Sequence, residues 1–364
     1  MNVQKLVEAA VDRGASVIHI KAGDVFRARI DGKMVKLSSQ VFTPKEVRQI
    51  AVLLIPDEHD KERIDDIRDY DTSWELAGVG RFRVSILRQL GAFMIIMRVI
   101  PLVVPTLDDL NLPTILREIA ELEQGLVLIT GAVGTGKSST MAAMVAWINS
   151  RQQKHIVTLE DPVEFLYSDD VSAITQREIG VDTESFRAGL RAALRQDADV
   201  ILIGEMRDRE TVATAISAAE LGLLVISTMH AATSVAAIGQ LLVSFEEDES
   251  ELARSRIAHT LRAVIAQRLL PRSGSEDLIP AVEVLRVTGA IRDCILNSRP
   301  DRDITALMEQ GSEAYGMRTM QQHLRELVKV GLVDYEVAKS AAPSPSDFEL
   351  VMETLAGDDL ESVS

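Results

Sequence analysis

A glycine-rich segment that begins at Gly131 constrains the fold of this chain more than any other feature of the sequence. It reads Gly-Ala-Val-Gly-Thr-Gly-Lys-Ser and matches the phosphate-binding pattern G-x-x-x-x-G-K-[ST]. An apolar run, Leu126 to Thr130, precedes it, and a run of helix-forming residues follows it. The glycines let the backbone wrap closely around a phosphate, and the amides at a helix start favour an anion. The segment therefore predicts a nucleotide site between a strand and a helix.

The residues predicted to bind nucleotide are those of this segment and the residue after it. They are Gly131, Ala132, Val133, Gly134, Thr135, Gly136, Lys137, Ser138 and Ser139. In such a loop the lysine, Lys137, reaches the β and γ phosphates, and the hydroxyl of Ser138 ligates Mg²⁺. The predicted ligands are therefore ATP and Mg²⁺.

Around this segment, short apolar runs alternate with helical stretches, which predicts an α/β fold with a parallel sheet covered on both faces. The runs are Leu126 to Thr130, Ile156 to Leu159, Val200 to Ile203, and Leu224 to Thr228. The chain has 364 residues, and this length favours two domains. We expect the sheet to belong to the second domain, at residues 113–345, with a mainly helical last part.

The first hundred residues have a different pattern, which predicts a smaller α+β domain over 1–100. Two short β runs precede an Asp-Gly pair and indicate a hairpin. Thr43 and Pro44 occupy the favoured first positions of a helix, and strand-like runs follow at 81–87 and 93–100. Two prolines, Pro101 and Pro105, indicate a linker over 101–112. Residues 346–364 are rich in Pro, Ser and acidic residues and are expected to form a flexible tail.

Charged residues follow the predicted strands at the edge where a parallel sheet binds its ligand. Glu205 follows the strand at 200–203, where a carboxylate can organise Mg²⁺ or its water. Glu160, Asp161 and Glu164 follow the strand at 156–159, and one of the three is a candidate general base for attack by water. His230 follows the strand predicted at 224–228 and is expected to lie near the γ-phosphate.

Composition excludes several classes of protein. The chain carries 39 Lys and Arg against 55 Asp and Glu, a net charge of −16, which argues against a surface that grips nucleic acid. Its single cysteine, Cys294, excludes an internal disulfide and a cysteine-rich zinc site, and it favours a reducing cytosol. The longest apolar runs are too short to span a bilayer, and no targeting segment is expected.

Taken together in their order along the chain, these motifs resemble the secretion ATPase superfamily, and most closely its type IV pilus retraction ATPases (PilT/PilU-like). Beside the phosphate-binding loop, the matching segments are Thr158 to Glu164, Gln176 to Glu178, Leu202 to Asp208, Thr228 to His230, and Ala290 to Asp293. The absence of a four-cysteine module favours the retraction type, since extension and secretion members usually carry that module.

The resemblance implies a fold and a set of roles. It implies a RecA-like P-loop NTPase domain after a PAS-like N-terminal domain, assembled as a homo-hexamer. By motif, Glu164 would be the general base, Glu205 would organise Mg²⁺, and His230 would read the γ-phosphate. The resemblance further implies that Arg83 and Arg98 contact nucleotide, a task that suits a guanidinium group.

The implied function is that of a cytoplasmic motor ATPase that powers pilus retraction and twitching motility. Its implied partner is a platform protein of the inner membrane, and no nucleic-acid partner is expected. Two departures from the family pattern are Leu223, where a second histidine is usual, and Gln240, where an arginine is usual. The PilU-like part of the resemblance and Gln240 leave open an accessory role beside a paralogous retraction ATPase, with weak hydrolysis of its own. A nucleic-acid translocase is a further, less favoured alternative.

Overall fold

The strand-like runs form two separate sheets in a computed structural model of the chain, which describes residues 3–30, 32–100, 103–297 and 301–361. The described residues divide into two compact units. The first comprises the residues up to Val103 together with Glu164–Leu166. The second comprises Val104–Val163 and the chain from Tyr167 onward.

The first unit combines short helices with an antiparallel sheet. Its elements in chain order are α1 (Val3–Val11), β1 (Ala15–Lys21), β2 (Val25–Ile30), β3 (Lys33–Val41), α2 (Pro44–Leu54), α3 (Glu58–Glu62), β4 (Asp69–Leu76), β5 (Gly80–Gln89) and β6 (Ala92–Ile100).

The sheet of the first unit has the strand order β3-β2-β1-β6-β5-β4, with every neighbouring pair antiparallel. One face is apolar and buried, because alternate residues such as Phe82, Ile95 and Met97 point into a core with the buried residues of α1 and α2. Helix α2 begins with a capping box at Thr43, as the sequence predicted. The opposite face is mixed, since it carries the exposed Arg83 and Arg98 as well as the partly buried Met94 and Ile96.

The second unit contains the remaining elements. In chain order they are α4 (Ile115–Ala120), β7 (Gly125–Thr130), α5 (Lys137–Asn149), β8 (His155–Glu160), β9 (Ala173–Glu178), α6 (Phe186–Ala193), β10 (Val200–Ile203), α7 (Arg209–Glu220), β11 (Leu224–Met229), α8 (Ser234–Val243), α9 (Ser250–Thr260), β12 (Leu261–Pro271), β13 (Leu278–Arg286), α10 (Gly289–Leu296), α11 (Asp301–Gln310), α12 (Ser312–Tyr315), α13 (Met320–Lys329), α14 (Tyr335–Ala341) and α15 (Pro345–Glu361).

The sheet of the second unit has the order β13-β12-β7-β11-β10-β8-β9. All neighbouring pairs are parallel except β12 and β13, which are antiparallel. Strand β7 is the third of seven strands and is buried over its whole length, so the loop that follows it leaves the interior of the sheet. This is the position at which parallel sheets bind ligands.

Helices cover both faces of this sheet, as the apolar runs predicted. Leu126 and Leu128 of β7 point into a core that includes α6 to α10, whereas Val127 and Ile129 point into a second core with α4 and α5. The alternation of side chains along a strand supplies both cores from one apolar run. The predicted α/β fold class is therefore confirmed.

Several strands were absent from the sequence prediction. The Asp-Gly pair leads from β2 into β3, which the sequence did not indicate, and Asp31 lies outside the described residues. Strand β4 was missed as well. In the second unit, β12 and β13 stand where we expected mainly helix, because their apolar run does not alternate when both faces are buried.

Two predicted irregular segments also differ in the structure. In the expected linker, Pro101 and Leu102 lie outside the described residues, but Leu107 and Leu112 are buried in the core beside α4 and α5. Of the expected flexible tail, residues 346–361 form part of helix α15, whose Phe348 is fully buried among α13 and α14, and residues 362–364 lie outside the described residues. Phe348 and Met352, one turn apart, pack against the cluster of α13 and α14, although the composition of the segment predicted a flexible tail.

Within the described residues, the structure has no helix that is both long and apolar enough to cross a membrane.

Candidate active site

The glycine-rich loop connects the end of β7 to the first turn of α5, as its sequence predicted. Gly136 has a φ of 83° directly before α5, a backbone conformation that favours glycine. At Gly131, an added Cβ would lie 2.5 Å from the carbonyl oxygen of Gln267 on β12. The loop therefore requires glycine for conformation at one position and for close packing at the other.

Lys137, the first residue of α5, is buried and turns back over the loop. Its Nζ donates hydrogen bonds to the carbonyl oxygens of Gly131 at 3.0 Å and Ala132 at 2.8 Å. The ammonium group is thus held within the loop, at the place where the phosphates of a nucleotide would bind.

His230 connects this lysine to Glu205. The distance from Lys137 Nζ to His230 Nδ1 is 3.4 Å, and His230 Nε2 lies 2.8 Å from Glu205 Oε1. Because a carboxylate can only accept, we assign Nε2 as the nitrogen that donates to Glu205, whereas Nδ1 lies 3.4 Å from both Lys137 Nζ and the carbonyl oxygen of Gly131. Glu205 also accepts hydrogen bonds from Arg207, which raise the pKa of that guanidinium group. Residues from the segments that follow β7, β10 and β11 therefore form one polar chain.

Backbone contacts hold the residues of this chain in place. Thr130 Oγ1 donates to the carbonyl oxygen of Ala231 and accepts from the Ala231 N–H, which joins the end of β7 to the segment after β11. Thr228 Oγ1 donates to the carbonyl oxygen of Gly204, just before Glu205. These side chains lie at the ends of neighbouring strands, so the sheet itself positions His230 and Glu205.

Asp208 ends the loop that carries Glu205 and caps helix α7. Burial opposes the ionisation of Asp208, but hydrogen bonds from the hydroxyl and the N–H of Thr211 hold its pKa below the usual value. A carboxylate at this position also interacts favourably with the helix dipole. Asp208 therefore anchors the loop that carries Glu205 to the start of α7.

The three acidic residues at and after the end of β8 differ in burial and in the unit to which they belong. Glu160 is buried and accepts hydrogen bonds from Thr158 Oγ1 at 2.7 Å and Gln176 Nε2 at 3.2 Å. Asp161 is exposed, and Glu164 belongs to the first unit. A hydroxyl and an amide beside Glu160 satisfy its charge inside the sheet, which explains why it turns inward.

Arg83 and Arg98 lie in the first unit, directly opposite each other on the antiparallel strands β5 and β6. Both side chains are exposed, on the face of the sheet opposite the buried core. Like charges that face each other across a strand pair repel, which costs stability unless an anion lies between them. The structure thus brings Lys137, Glu205 and His230 together in the second unit, and Arg83 and Arg98 together in the first.

Two departures from the family pattern lie on helices and turns of the second unit. Gln240 is exposed on α8, and Leu223, just before β11, is half-buried against the core of that unit.

Sequence reasoning assigned no structural role to the residues that support the loops from neighbouring strands. Gln267 of β12 contacts the glycine-rich loop, and Gln176 of β9 accepts a hydrogen bond from the N–H of Tyr167 in the loop after β8. The signal available in the sequence was weak, since Gln267 follows the apolar run Ala263 to Ala266 but stands beside a second polar residue, Arg268.

The donors of this site suit a magnesium nucleotide. Mg²⁺ prefers oxygen ligands and keeps several waters beside one or two protein groups and the phosphates. The half-buried hydroxyl of Ser138, in the first turn of α5, and the carboxylate of Glu205 are such oxygen donors. The residues present therefore fit Mg²⁺ bound together with a nucleotide.

Comparisons with known proteins agree with this chemistry. A family model described as Type II/IV secretion system protein matches residues 1–313. The type IV pilus retractation ATPase PilT of Pseudomonas aeruginosa is 35% identical over 350 residues, which cover 96% of this chain and 100% of the relative. The type IV pilus ATPase PilU of the same organism is 33% identical over 366 residues, which cover 100% of this chain and 94% of the relative.

A solved structure of the pilus retraction motor PilT with bound ADP is also similar. It superposes with a TM-score of 0.87 at 36% sequence identity and covers 96% of this chain and 99% of its own. The similarity therefore extends through both units of the chain.

Proposed function

We propose that this chain, which belongs to the Type II/IV secretion system protein family, is the motor that powers retraction of a type IV pilus. It is an ATPase with a RecA-like domain after a smaller N-terminal domain. The observation that carries the proposal is the polar chain from Lys137 through His230 to Glu205, built at the carboxyl edge of a parallel sheet. Pilus retraction is favoured by the full-length similarity to PilT.

Each residue of the polar chain has a role in the proposed mechanism. Lys137 would exchange the carbonyl oxygens of its own loop for phosphate oxygens, because a charged acceptor forms the stronger hydrogen bond. His230 would respond to that movement, since its Nδ1 faces the lysine and its Nε2 faces Glu205. Bound Mg²⁺ would neutralise charge on the phosphates. Hydrolysis would in this way change hydrogen bonds at three strand ends.

The first unit would supply the remaining groups. Glu164 is proposed as the general base that activates water, on the basis of its motif. Arg83 and Arg98 are proposed to contact the nucleotide, since two facing guanidinium groups suit an anion with charge on several oxygens.

The working form is proposed to be a homo-hexamer at the cytoplasmic base of the pilus. There it would act on an inner-membrane platform protein, and closure around nucleotide would drive release of pilin into the membrane. Twitching motility would be the cellular result.

The second candidate is an accessory ATPase that hydrolyses slowly by itself and acts beside a principal retraction motor. The similarity to PilU over the whole chain supports this alternative. Gln240 on α8 is the residue that we would hold responsible for weak hydrolysis, because the family pattern has an arginine there.

Hydrolysis of Mg-ATP by the purified chain tests the proposal. Lys137→Ala and Glu164→Gln are each expected to lower the turnover rate by about 100-fold or more, as for the loss of a transition-state donor or base. Lys154→Ala is the matched control, because Lys154 forms a surface ion pair with Glu123. Its turnover rate is expected to stay at the wild-type value.

Two results would overturn the motor proposal. The accessory role would be supported instead if the chain binds ATP tightly but hydrolyses it at a negligible rate, and if a paralogue or the substitution Gln240→Arg raises that rate. Full activity of Lys137→Ala would show that the polar chain is not the site of hydrolysis.

A further inference from the structure

Strand β12 extends past the end of β7 and runs alongside the glycine-rich loop. In the register of the two strands Ala266 pairs with Thr130, the last residue of β7. Strand β12 continues to Pro271, so Gln267 is its first residue beyond the segment that pairs with β7. A side chain at this position can contact the loop from a strand to which the loop is not covalently connected.

The carboxamide of Gln267 makes two hydrogen bonds, one to the loop and one to helix α5. Its Nε2 donates to the carbonyl oxygen of Thr135 at 2.8 Å, and its Oε1 accepts from the hydroxyl of Thr140 at 2.7 Å. Because a carbonyl oxygen can only accept, the orientation of the carboxamide is settled by its contact with Thr135. Gln267 is 3% exposed and Thr140 is fully buried, so water does not compete for these bonds.

The bond to Thr135 sets the direction of the next amide. In a planar trans peptide the C=O and the N–H point to opposite sides. With the Thr135 carbonyl held toward β12, the Gly136 N–H therefore points away from β12. Gly136 has a φ of 83°, a backbone conformation that favours glycine. An added Cβ at this position would also lie only 3.0 Å from Gln267 Nε2.

We infer that Gln267 is a positioning residue for the phosphate-binding loop, which it holds so that the Gly136 N–H is directed at the phosphates of a bound nucleotide. The inference rests on the proposed nucleotide site. Gln267 acts through Thr135 and Gly136 and does not itself contact the nucleotide. Thr140 completes the arrangement, because its hydroxyl fixes the other end of the carboxamide.

A purely stabilising glutamine and a positioning glutamine predict different nucleotide affinities. Loss of a buried hydrogen bond lowers the melting temperature in either case. Only the positioning role makes the affinity depend on the β-phosphate. ADP binding should then weaken while AMP binding changes little, because AMP places no phosphate deep in the loop.

The experiment measures the Kd of Mg-ADP and of AMP, and the melting temperature, for the full chain and its variants. Gln267→Leu keeps the side-chain volume and removes both hydrogen bonds. Gln267→Glu keeps the acceptor for Thr140 and loses the donor to Thr135. Thr140→Val removes the hydroxyl, and Thr140→Ser is its conservative control. Ile265→Val serves as a stability control, because Ile265 is fully buried on the same strand away from the loop.

We expect Gln267→Leu and Gln267→Glu to weaken ADP binding by about tenfold or more, the effect of a buried polar group left without its partner. AMP binding should change less than about twofold by the same reasoning. Thr140→Val should weaken ADP binding and Thr140→Ser should leave it unchanged. Ile265→Val should lower the melting temperature alone.

The inference is overturned if both Gln267 variants bind ADP as tightly as the wild type does. If those variants do not fold, the two Thr140 variants decide, and equal ADP affinities for Val and Ser overturn it. Hydrolysis is recorded in parallel. A wild-type chain that binds ADP without hydrolysing ATP would contradict the proposed function while these affinities still test Gln267.

Discussion

At the scale of single residues, chemistry in this chain depends on polar groups that the fold takes out of water. Lys137, Glu160 and Gln267 are buried, and each has hydrogen-bond partners within its own unit. A buried polar group without a partner costs stability, so such groups settle into one arrangement. Their rigidity is what allows a loop of glycines to keep a definite shape.

His323 gives a prediction for the pH dependence of stability. Burial, together with the nearby charge of Arg318, lowers its pKa from 6.5 to about 4, and its Nδ1 accepts the N–H of Val282. The unfolded chain therefore binds a proton between pH 6.5 and 4 that the folded chain does not. This contribution to stability is complete above the unfolded pKa and is lost as the pH falls through that window.

We expect the free energy of unfolding to fall by about 2 kcal/mol from this residue between pH 7.5 and 5. His323→Asn can still accept the bond from Val282 but does not titrate in this range. Urea unfolding of both proteins at several pH values measures the difference between them, which cancels the other titrating groups. A difference that stays constant with pH would contradict the prediction.

At the scale of elements, helices and strands meet at shared polar groups. Glu283 of β13 accepts hydrogen bonds from the N–H and hydroxyl of Ser234, at the start of α8, and from the N–H of Met320, at the start of α13. A carboxylate at a helix N-terminus is stabilising, and here one carboxylate serves two helices. It connects the segment after His230 to the helices at the C-terminal end of the described chain.

Loss of Glu283 should therefore loosen both helix starts. We expect Glu283→Ala to lower the free energy of unfolding by about 2–4 kcal/mol, because several buried donors lose a charged acceptor. Hydrogen exchange should become faster at the amides of Ser234 and Met320 together. Glu276→Ala, on an exposed turn, is the control and should change neither quantity. Faster exchange at only one helix start would contradict the shared role.

The arginine pair of the first unit predicts a conflict between stability and activity. Arg83 and Arg98 face each other across β5 and β6 on an exposed face. Removing one of two like charges should stabilise the sheet. Arg98→Gln is expected to raise the melting temperature by a few degrees at most, and only at low salt, because salt screens repulsion between exposed charges. The same variant is expected to lower the rate of ATP turnover.

Arg13→Gln is the matched control for this variant, because Arg13 is exposed after α1 in the same unit. It should leave turnover unchanged. A lower melting temperature for Arg98→Gln, or unchanged turnover, would contradict the interpretation of the pair as an anion-binding device.

At the scale of the whole molecule, charge is distributed very unevenly along the chain. Residues 1–103 contain 16 Lys and Arg against 14 Asp and Glu, whereas residues 104–364 contain 23 against 41. The unit that carries the glycine-rich loop is thus strongly acidic. Polyanions would be repelled by its surface, while a nucleotide is bound by groups concentrated at one sheet edge.

This distribution predicts that nucleic acid does not activate the enzyme. Addition of single- or double-stranded DNA at low salt should leave the rate of ATP hydrolysis unchanged. The measurement is turnover with and without polynucleotide over a range of salt concentrations. Stimulation that falls steeply with salt would instead indicate a nucleic-acid translocase, because phosphate contacts release counterions.

Features encoded in contiguous residues were predictable here. The glycine-rich loop, the apolar runs of β7, β8, β10 and β11, and the cap of α2 were all predicted, since each depends on residues a few positions apart. The same local signals located Glu205 and His230 at strand ends. The resemblance to retraction ATPases rested on those motifs in their order along the chain.

Contacts between segments that are distant in the sequence could not be predicted from these local signals. Gln267 and Thr140 are 127 residues apart, and their hydrogen bond exists because β12 lies beside β7 in the sheet. In the same way, the pairing of Arg83 with Arg98 depends on strand register, and the burial of Glu160 and Phe348 depends on what packs against them. Strand order and register are set by packing over the whole core, so the residues that hold the site in place became visible with the folded chain.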